Sequence, residues 1–152
     1  MDPPVATLRR MPVGCSTLDA STSPPRLHVP RDYNAAVDLL DRHVVEGRGA
    51  RIAVVDDDGR HSYEALADRA NRAGNALRAL GLDAEQRVML CLLDTVDFPA
   101  AFLGAIKSGA IPVPVNTLLS ADDYVYLLGD SRARVLLVSD ALLPKLEKAI
   151  AA

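Results

Sequence analysis

The 152-residue sequence has little that marks a metal centre, a nucleic-acid-binding protein or a membrane protein. Its two cysteines, Cys15 and Cys91, lie far from any CxxC or Cys/His spacing, and the three histidines are scattered, so no metal or redox site is predicted. The formal net charge of −3 offers no concentrated basic surface, which argues against nucleic acid as a partner. No apolar run reaches the length of about 18 residues that spans a bilayer, so no membrane partner is expected.

Motifs that carry chemistry are also scarce. Gly47-Arg48-Gly49 is a GxG without a third glycine, and it lies between a predicted helix and a hairpin, the wrong context for dinucleotide binding. Neither a GxxxxGK[ST] phosphate loop nor a GxSxG nucleophile elbow is present. The three consecutive carboxylates of residues 56–58 could attract a divalent cation, but a tight hairpin turn explains them better.

Two single residues raise chemical alternatives. His61 lies near Tyr63 and Glu64 but has no evident nucleophile partner, so catalysis there is disfavoured. Lys107 could bind a phosphate, although the favoured interpretation is that it extends from a helix end next to Gly109 and offsets the helix dipole. The residues alone therefore nominate no catalytic residue, no cofactor-binding residue and no metal ligand.

Residues 1–32 differ from the rest of the chain. They carry six prolines with serine and threonine between them and show no periodicity, so we predict an irregular Pro-rich leader. The region from Met1 to Val13 has no apolar stretch of the kind that follows the charged start of a secretory signal, and a cytoplasmic location is the default expectation.

The pattern downstream predicts regular structure. A helix that starts near residue 35 is capped by Asp32 or Asn34, and residues 51–55 and 60–63 flank an Asp-Gly turn as a β-hairpin. A second helix ends at Gly81, where a left-handed conformation favours glycine. The apolar stripe predicted for this helix comprises Leu66, Ala70, Ala73, Leu77 and Leu80.

From Arg87 onward, strands and helices alternate. Residues 88–93 form an unbroken apolar run, typical of a strand covered on both faces. Residues 111–115 are strand-like, but two prolines predict a short or irregularly paired strand. Ser120–Asp123 matches a capping box, and a strand over 135–138 precedes a helix over 140–149. The buried face of the intervening helix is predicted as Phe98, Ala101, Phe102, Ala105 and Ile106. The pattern predicts an α/β fold: a partial three-layer sandwich with a mostly parallel sheet, plus the hairpin.

Two motifs resemble those of a known family. Ser62-Tyr63-Glu64-Ala65-Leu66 resembles the first core motif of the adenylate-forming enzymes, a Thr/Ser-Tyr-x-x-Leu pattern that opens a helix. Residues 105–116 resemble their second core motif, of the Leu-Lys-x-Gly-Ala-x-x-Val-Pro type. The resemblance extends from about Tyr33 to the end, and within the family the segments 33–40 and 116–126 are most similar to benzoate–CoA ligases.

The resemblance implies that residues 33–152 are the N-terminal portion of an AMP-binding domain, truncated before the phosphate loop. It implies a carboxylate–CoA ligase that uses ATP, Mg²⁺ and CoA to activate a benzoate-like aromatic acid through an acyl-adenylate. None of these is expected to bind the fragment, which is expected to be inactive without the remainder of the ligase chain. The motif residues expected to act as scaffold are Ser62, Tyr63, Leu66, Gly81, Lys107, Gly109, Pro114 and Asn116.

Two other hypotheses stay open. A truncated, non-catalytic paralogue could act as a binding or interaction module, for which the Pro-rich leader is the only hint. A stand-alone flavodoxin-like domain fits the element order but explains none of the motifs. An incomplete sheet would leave an apolar edge and aggregate, whereas a true module would be monodisperse or form one defined oligomer.

Overall fold

The computed structural model describes residues 14–151, apart from the side chain of Lys148. The part of the leader prediction that concerns residues 1–13 therefore lies outside the described residues. In chain order the elements are β1 (Thr17–Asp19), β2 (Arg26–His28), a π-helical segment (Val37–Asp41) that leads into α1 (Arg42–Val45), β3 (Ile52–Asp56), β4 (Gly59–Ser62), α2 (Tyr63–Ala79), β5 (Arg87–Cys91), α3 (Asp97–Ser108), β6 (Ile111–Pro114), α4 (Ala121–Ser131), β7 (Val135–Val138), a 3-10 turn (Asp140–Leu142) and α5 (Leu143–Ala151).

A three-stranded parallel sheet of order β6-β5-β7 forms the centre of the fold. Val88 and Leu90 of β5 pack against α2 and α3 on one face of the sheet, in a hydrophobic cluster that includes Leu77 of α2. Cys91 packs on the other face with Tyr124 of α4 and with α5. Helices therefore cover both faces, and the predicted three-layer α/β sandwich with a buried central strand is confirmed.

Strand β6 lies at one edge of the sheet, and its prolines fit that position. The Ile111 amide donates to the Gln86 carbonyl at 2.9 Å, so odd-numbered residues of this strand face β5. Alternation then places the nitrogens of Pro112 and Pro114 on the outer edge, where no ladder donor is needed. The strand is short, as predicted, and its register with β5 is continuous.

Helix α2 follows most of its predicted stripe. Its buried residues are Leu66, Ala70, Gly74 and Leu77. Leu80, predicted to be on the stripe, is 66% exposed because the helix ends at Ala79 and Leu80 lies in the closing turn. Gly81 adopts the expected left-handed conformation with φ of 78°.

Helix α3 buries smaller residues than predicted. Its buried residues are Ala100, Ala101, Leu103, Gly104 and Ala105. Phe98, Phe102 and Ile106, expected on the buried face, are half-buried. The reason is that α2 crosses so closely over Gly104 that only small side chains fit between the two helix backbones.

The N-terminal part of the described chain is more regular than predicted. β1 and β2 pair as an antiparallel hairpin within the segment predicted to be irregular. Strands of three residues are too short for an alternating pattern to be recognised, which is why the sequence gives no signal for them. The predicted hairpin over β3 and β4 is confirmed. At the start of the helical segment between β2 and β3, the Asn34 side chain accepts the Ala36 amide at 3.0 Å, so Asn34 is the cap rather than Asp32.

Within residues 14–151, no helix combines the length and the apolar character that a bilayer-spanning segment requires.

Candidate functional site

The carboxyl ends of β5, β6 and β7 meet at one edge of the sheet. β5 continues into α3 on one face, whereas β6 and β7 continue into α4 and α5 on the opposite face. Such a reversal is a topological switch point, where open α/β sheets bind their ligands. This edge is therefore the candidate site.

An apolar cleft of about 310 Å³ opens at this edge. Its lining comprises Arg69, Arg72, Ala73, Leu92, Asp97, Ala100, Ala101, Leu137 and Val138. The charged groups at its rim are paired, because Arg69 contacts Asp97 at 2.9 Å and Arg72 contacts Asp68 at 3.1 Å. These lining residues include no nucleophile and no acid–base pair, so the cleft has the character of a packing surface rather than a catalytic centre.

The loop that follows β6 is fixed by the second motif. The Tyr124 hydroxyl donates to the Asn116 carbonyl at 2.8 Å, and the Asn116 side chain accepts the Leu118 amide at 2.8 Å. Burial raises the pKa of Tyr124 to about 12. The Cys91 thiol lies 3.7 Å from the same hydroxyl. Asn116 therefore shapes this loop through its main chain and its side chain together.

The first motif opens α2. The Ser62 hydroxyl accepts the Ala65 amide at 3.2 Å and caps the helix. The Tyr63 ring stacks on His43 with ring centroids 4.2 Å apart, and Leu66 is 4% exposed in the core. These contacts of Ser62, Tyr63 and Leu66 cap helix α2 and hold it against its neighbours.

The remaining motif residues lie at the end of α3 and on β6. Gly109 closes α3 with φ of 89°, a conformation that side chains disfavour. The Lys107 ammonium contacts an Asp41 carboxylate oxygen at 2.6 Å, so it joins α3 to the helical segment before α1. The two interpretations of Lys107 from the sequence, a phosphate ligand and the favoured cation that extends from the helix end and offsets the helix dipole, do not include this ion pair. Pro114 lies on the outer edge of β6.

Asp56, one of the three aspartates of the β3–β4 hairpin, uses both carboxylate oxygens in hydrogen bonds within the protein. One oxygen of Asp56 accepts the Asp58 and Gly59 amides at 3.1 Å and contacts His61 Nε2 at 2.9 Å. The other oxygen accepts the Val96 amide at 2.8 Å. The Val96 amide and His61 hold the pKa of Asp56 below its usual value. Over residues 14–151, no three side chains of His, Cys, Asp or Glu are placed to hold a metal together.

A buried carboxylate that sequence reasoning missed is Asp38. It accepts hydrogen bonds from the Ser16 amide and hydroxyl at 3.1 and 2.5 Å and from the Tyr33 hydroxyl at 3.0 Å. Arg42 pairs with it at 2.9 Å. The Ser16 hydroxyl, followed by Arg42, holds the pKa of Asp38 far below its usual range. The Asp–Arg spacing of four residues is the one sequence signal that could have found this pair.

Comparison with known proteins gives a consistent result. A sequence model described as "AMP-binding enzyme" matches residues 41–152. Benzoate–CoA ligase of Thauera aromatica is 51% identical over 130 residues, which cover 85% of this chain and 25% of the relative. A 4-hydroxybenzoate–CoA/benzoate–CoA ligase of Rhodopseudomonas palustris is 53% identical over 121 residues, which cover 80% of this chain and 22% of the relative.

Solved structures agree with these relatives. A benzoate–CoA ligase of Burkholderia xenovorans superposes with a TM-score of 0.75 at 42% identity, covering 79% of this chain and 24% of the other. An anthranilate–CoA ligase in complex with anthranoyl-AMP superposes with a TM-score of 0.76 at 38% identity, covering 81% and 23%. The chain spans about a quarter of the length of the relatives it matches. The match of the family model to residues 41–152, with these relatives, shows that the chain belongs to the family of AMP-binding enzymes.

Proposed function

We propose that this chain is the N-terminal part of an aromatic acid–CoA ligase that acts on benzoate or a close analogue. In the first step the carboxylate attacks the α-phosphate of ATP and releases pyrophosphate, which leaves an acyl-adenylate. In the second step the CoA thiol attacks the acyl carbon and releases AMP, which yields the thioester. The proposed location is the cytoplasm.

The observation that carries this proposal is the 51% identity to a benzoate–CoA ligase over 130 residues. The 53% identity to the 4-hydroxybenzoate–CoA/benzoate–CoA ligase supports the same acid class. By contrast, identity is 33% over 113 residues to a 3-hydroxybenzoate–CoA/4-hydroxybenzoate–CoA ligase, whose name does not include benzoate. Benzoate is the acid that the names of the two more similar relatives share.

Within the proposed enzyme, residues 33–152 supply scaffold rather than reacting groups. The reaction demands neutralisation of the phosphate charge and in-line geometry at the acyl carbon. Among the described residues, no three His, Cys, Asp or Glu side chains are placed to hold Mg²⁺ together. The sequence also contains no GxxxxGK[ST] phosphate loop. We propose that ATP, Mg²⁺ and CoA are held by polypeptide outside this chain. The motif residues of α2 and β6 position the carboxyl edge of the sheet.

The test is a ligase assay on the full-length protein that contains this sequence. The purified protein, ATP, Mg²⁺ and CoA are incubated with benzoate, 4-hydroxybenzoate, anthranilate or a long-chain fatty acid, and AMP and the acyl-CoA are quantified by chromatography. We expect benzoate to have the highest kcat/KM. A preference for the fatty acid, or no acyl-CoA from any acid, would reject the proposal.

The isolated 152-residue chain is the matched control for this assay. It is expected to form no acyl-adenylate and no thioester, because the scaffold lacks the groups that stabilise the developing charge. Turnover by the isolated chain would contradict the scaffold assignment. An intact mass near 16.2 kDa for the protein in its source cells would favour the alternative of a non-catalytic binding module.

A further inference from the structure

Two side chains from other elements hold the loop that follows the central strand. This loop, residues 92–96, joins β5 to α3 at the carboxyl edge of the sheet. Ser139 directly follows β7, and its hydroxyl accepts the Leu93 amide at 3.0 Å. Asp56 is the last residue of β3, and one of its carboxylate oxygens accepts the Val96 amide at 2.8 Å. The main chain of the loop is therefore fixed near both of its ends.

Asp56 makes this hydrogen bond from inside the protein. Its side chain is 2% exposed, and burial of a carboxylate is costly unless hydrogen bonds replace its water. The amides of the β3–β4 turn and His61 Nε2 all contact one of its oxygens. The other oxygen is directed to Val96, 40 residues away in the sequence. The turn and His61 thus fix the carboxylate, and the carboxylate in turn fixes the loop.

The loop forms one wall of the cleft at the switch point. Leu92, its first residue, and Asp97, the first residue of α3, both line the cleft, and Leu93 is exposed beside them. Ligands of open α/β sheets bind outside the carboxyl ends of the strands, on loops that a rigid scaffold positions. Because the lining residues include no nucleophile, this wall contributes binding geometry rather than a reacting group.

We propose that Ser139 and Asp56 are positioning residues of the ligase reaction, which act on substrate binding through the loop 92–96. Neither side chain is assigned a contact with the reacting atoms. The inference rests on the proposed function, because that reaction supplies the substrates that the loop helps to bind. Loss of either hydrogen bond lowers the fraction of molecules whose loop is in the binding-competent conformation, and the apparent affinity for the substrate falls by that fraction. A positioning role therefore changes KM more than kcat.

Substitution of Ser139 in the proposed full-length ligase tests this role. Ser139→Ala removes the acceptor of the Leu93 amide and leaves Asp56 in place. We expect kcat/KM for benzoate, ATP or CoA to fall about tenfold, mainly through a higher KM. Ser139→Thr keeps a hydroxyl at the same position and is expected to restore most of the wild-type value. Unchanged kcat/KM for all three substrates in Ser139→Ala, or an equal loss in Ser139→Thr, overturns the proposal.

Ser108→Ala is the matched control for a purely structural effect. The Ser108 hydroxyl donates to the Ala105 carbonyl at 2.8 Å, at the other end of α3. Each alanine variant loses one hydrogen bond of the serine hydroxyl, so we expect similar unfolding temperatures for Ser108→Ala and Ser139→Ala. Ser108→Ala is expected to retain the wild-type kcat/KM. An equal loss of kcat/KM in both variants means that stability rather than the loop is responsible, and it overturns the proposal.

A second pair of variants tests Asp56. Asp56→Asn replaces one acceptor oxygen by an amide donor, so the side chain can no longer accept from both the turn and Val96, and kcat/KM is expected to fall as in Ser139→Ala. His61→Phe removes a contact to the other oxygen, keeps the bond to Val96 and is expected to retain the wild-type kcat/KM. The reverse order of these two variants overturns the role of Asp56, and Ser139→Ala remains decisive if Asp56→Asn does not fold.

Amide hydrogen exchange follows the loop without turnover. The Leu93 amide is expected to exchange faster in Ser139→Ala than in the wild type. The Val115 amide, which donates to the Leu90 carbonyl at 3.0 Å, is the internal control and is expected to be unchanged. An unchanged Leu93 amide overturns the proposal. No turnover by the wild type rejects the proposed function and, with it, this role, whereas wild-type turnover that Ser139→Ala retains in full rejects the positioning role alone.

Discussion

Gly74 of α2 and Gly104 of α3 lie in backbone contact, so neither position has room for a side chain. A methyl group on Gly104 would lie 2.5 Å from the Ala70 carbonyl oxygen and 3.0 Å from the Gly74 nitrogen. A methyl group on Gly74 would lie 2.8 Å from the Gly104 carbonyl oxygen. These neighbours are main-chain atoms of helices and cannot rotate away, so the contact sets the distance between α2 and α3.

The first prediction concerns this contact. Gly104→Ala is expected to lower the free energy of unfolding by about 1–3 kcal/mol, because overpacking outweighs the gain of about 1 kcal/mol in helix propensity. Gly129 in α4 is the matched control, since a methyl group there meets nothing within 4 Å. Gly129→Ala is expected to raise stability by about 0.5–1 kcal/mol. Urea unfolding of the full-length protein measures both, and equal stability of the two variants would contradict the packing argument.

The second prediction concerns Lys107 in the second motif. Its pair with Asp41 is about three-quarters buried, with side-chain exposures of 21% and 26%. A double-mutant cycle with Lys107→Met and Asp41→Asn is expected to give a coupling energy of about 0.5–1 kcal/mol.

The same variants separate the ion pair from a phosphate-binding role. Since the ammonium is engaged by Asp41, Lys107→Met is expected to leave the KM for ATP of the proposed full-length ligase unchanged. A several-fold rise in that KM, absent in Asp41→Asn, would mean that Lys107 contacts the nucleotide.

The third prediction concerns acid stability. The pKa of Asp38 is depressed in the folded state by Ser16 and Arg42, so its carboxylate contributes stability above about pH 4. That contribution is lost as the pH falls through the folded-state pKa. Asp38→Asn is therefore expected to lower the unfolding temperature at pH 7 and to weaken its dependence on pH below about pH 4.

Asp68 provides the control for this experiment. Its pair with Arg72 is 69% exposed on both side chains, so Asp68→Asn is expected to change neither the unfolding temperature nor its pH dependence measurably. Thermal melts of the wild type, Asp38→Asn and Asp68→Asn in a pH series measure these unfolding temperatures. A wild-type acid response retained in Asp38→Asn would assign acid sensitivity to other carboxylates.

Sequence patterns correctly predicted the helices and strands whose apolar residues recur at a fixed period or form an unbroken run. The run 88–93 identified the central strand, and Leu66, Ala70 and Leu77 identified the buried face of α2, because burial of apolar side chains imposes those periods. The prediction that Leu80 lies on the buried stripe was wrong, because a periodic pattern does not mark the residue at which a helix ends.

The remaining features depend on partners distant in sequence. Ser16 and Asp38 are 22 residues apart, and only the folded chain brings them together. The Gly74–Gly104 contact joins two helices, whereas a glycine in a helical pattern gives no sign of what it faces. For the candidate site, the motif residues could be located in advance, but the Lys107–Asp41 pair spans 66 residues and left no local signal.

The fourth prediction concerns stability in base. Burial raises the pKa of Tyr124 to about 12, so the folded state favours the protonated phenol. The protonated Tyr124 phenol makes its full contribution to stability below a pH of about 10, the ordinary tyrosine pKa. That contribution is lost as the pH rises through the raised pKa of the folded state. We expect the unfolding temperature of the wild-type protein to fall between about pH 10 and pH 12.

Tyr124→Phe separates this titration from the loss of the hydrogen bond to Asn116. The variant leaves a carbonyl without its donor and is expected to be less stable than the wild type at pH 7, but to lose less stability in base. Tyr126, 68% exposed two residues away, gives the control, and Tyr126→Phe is expected to behave as the wild type at both pH values. Should Tyr124→Phe lose stability in base as steeply as the wild type, the buried phenol would not be the group responsible, because its only ionisable proton is gone.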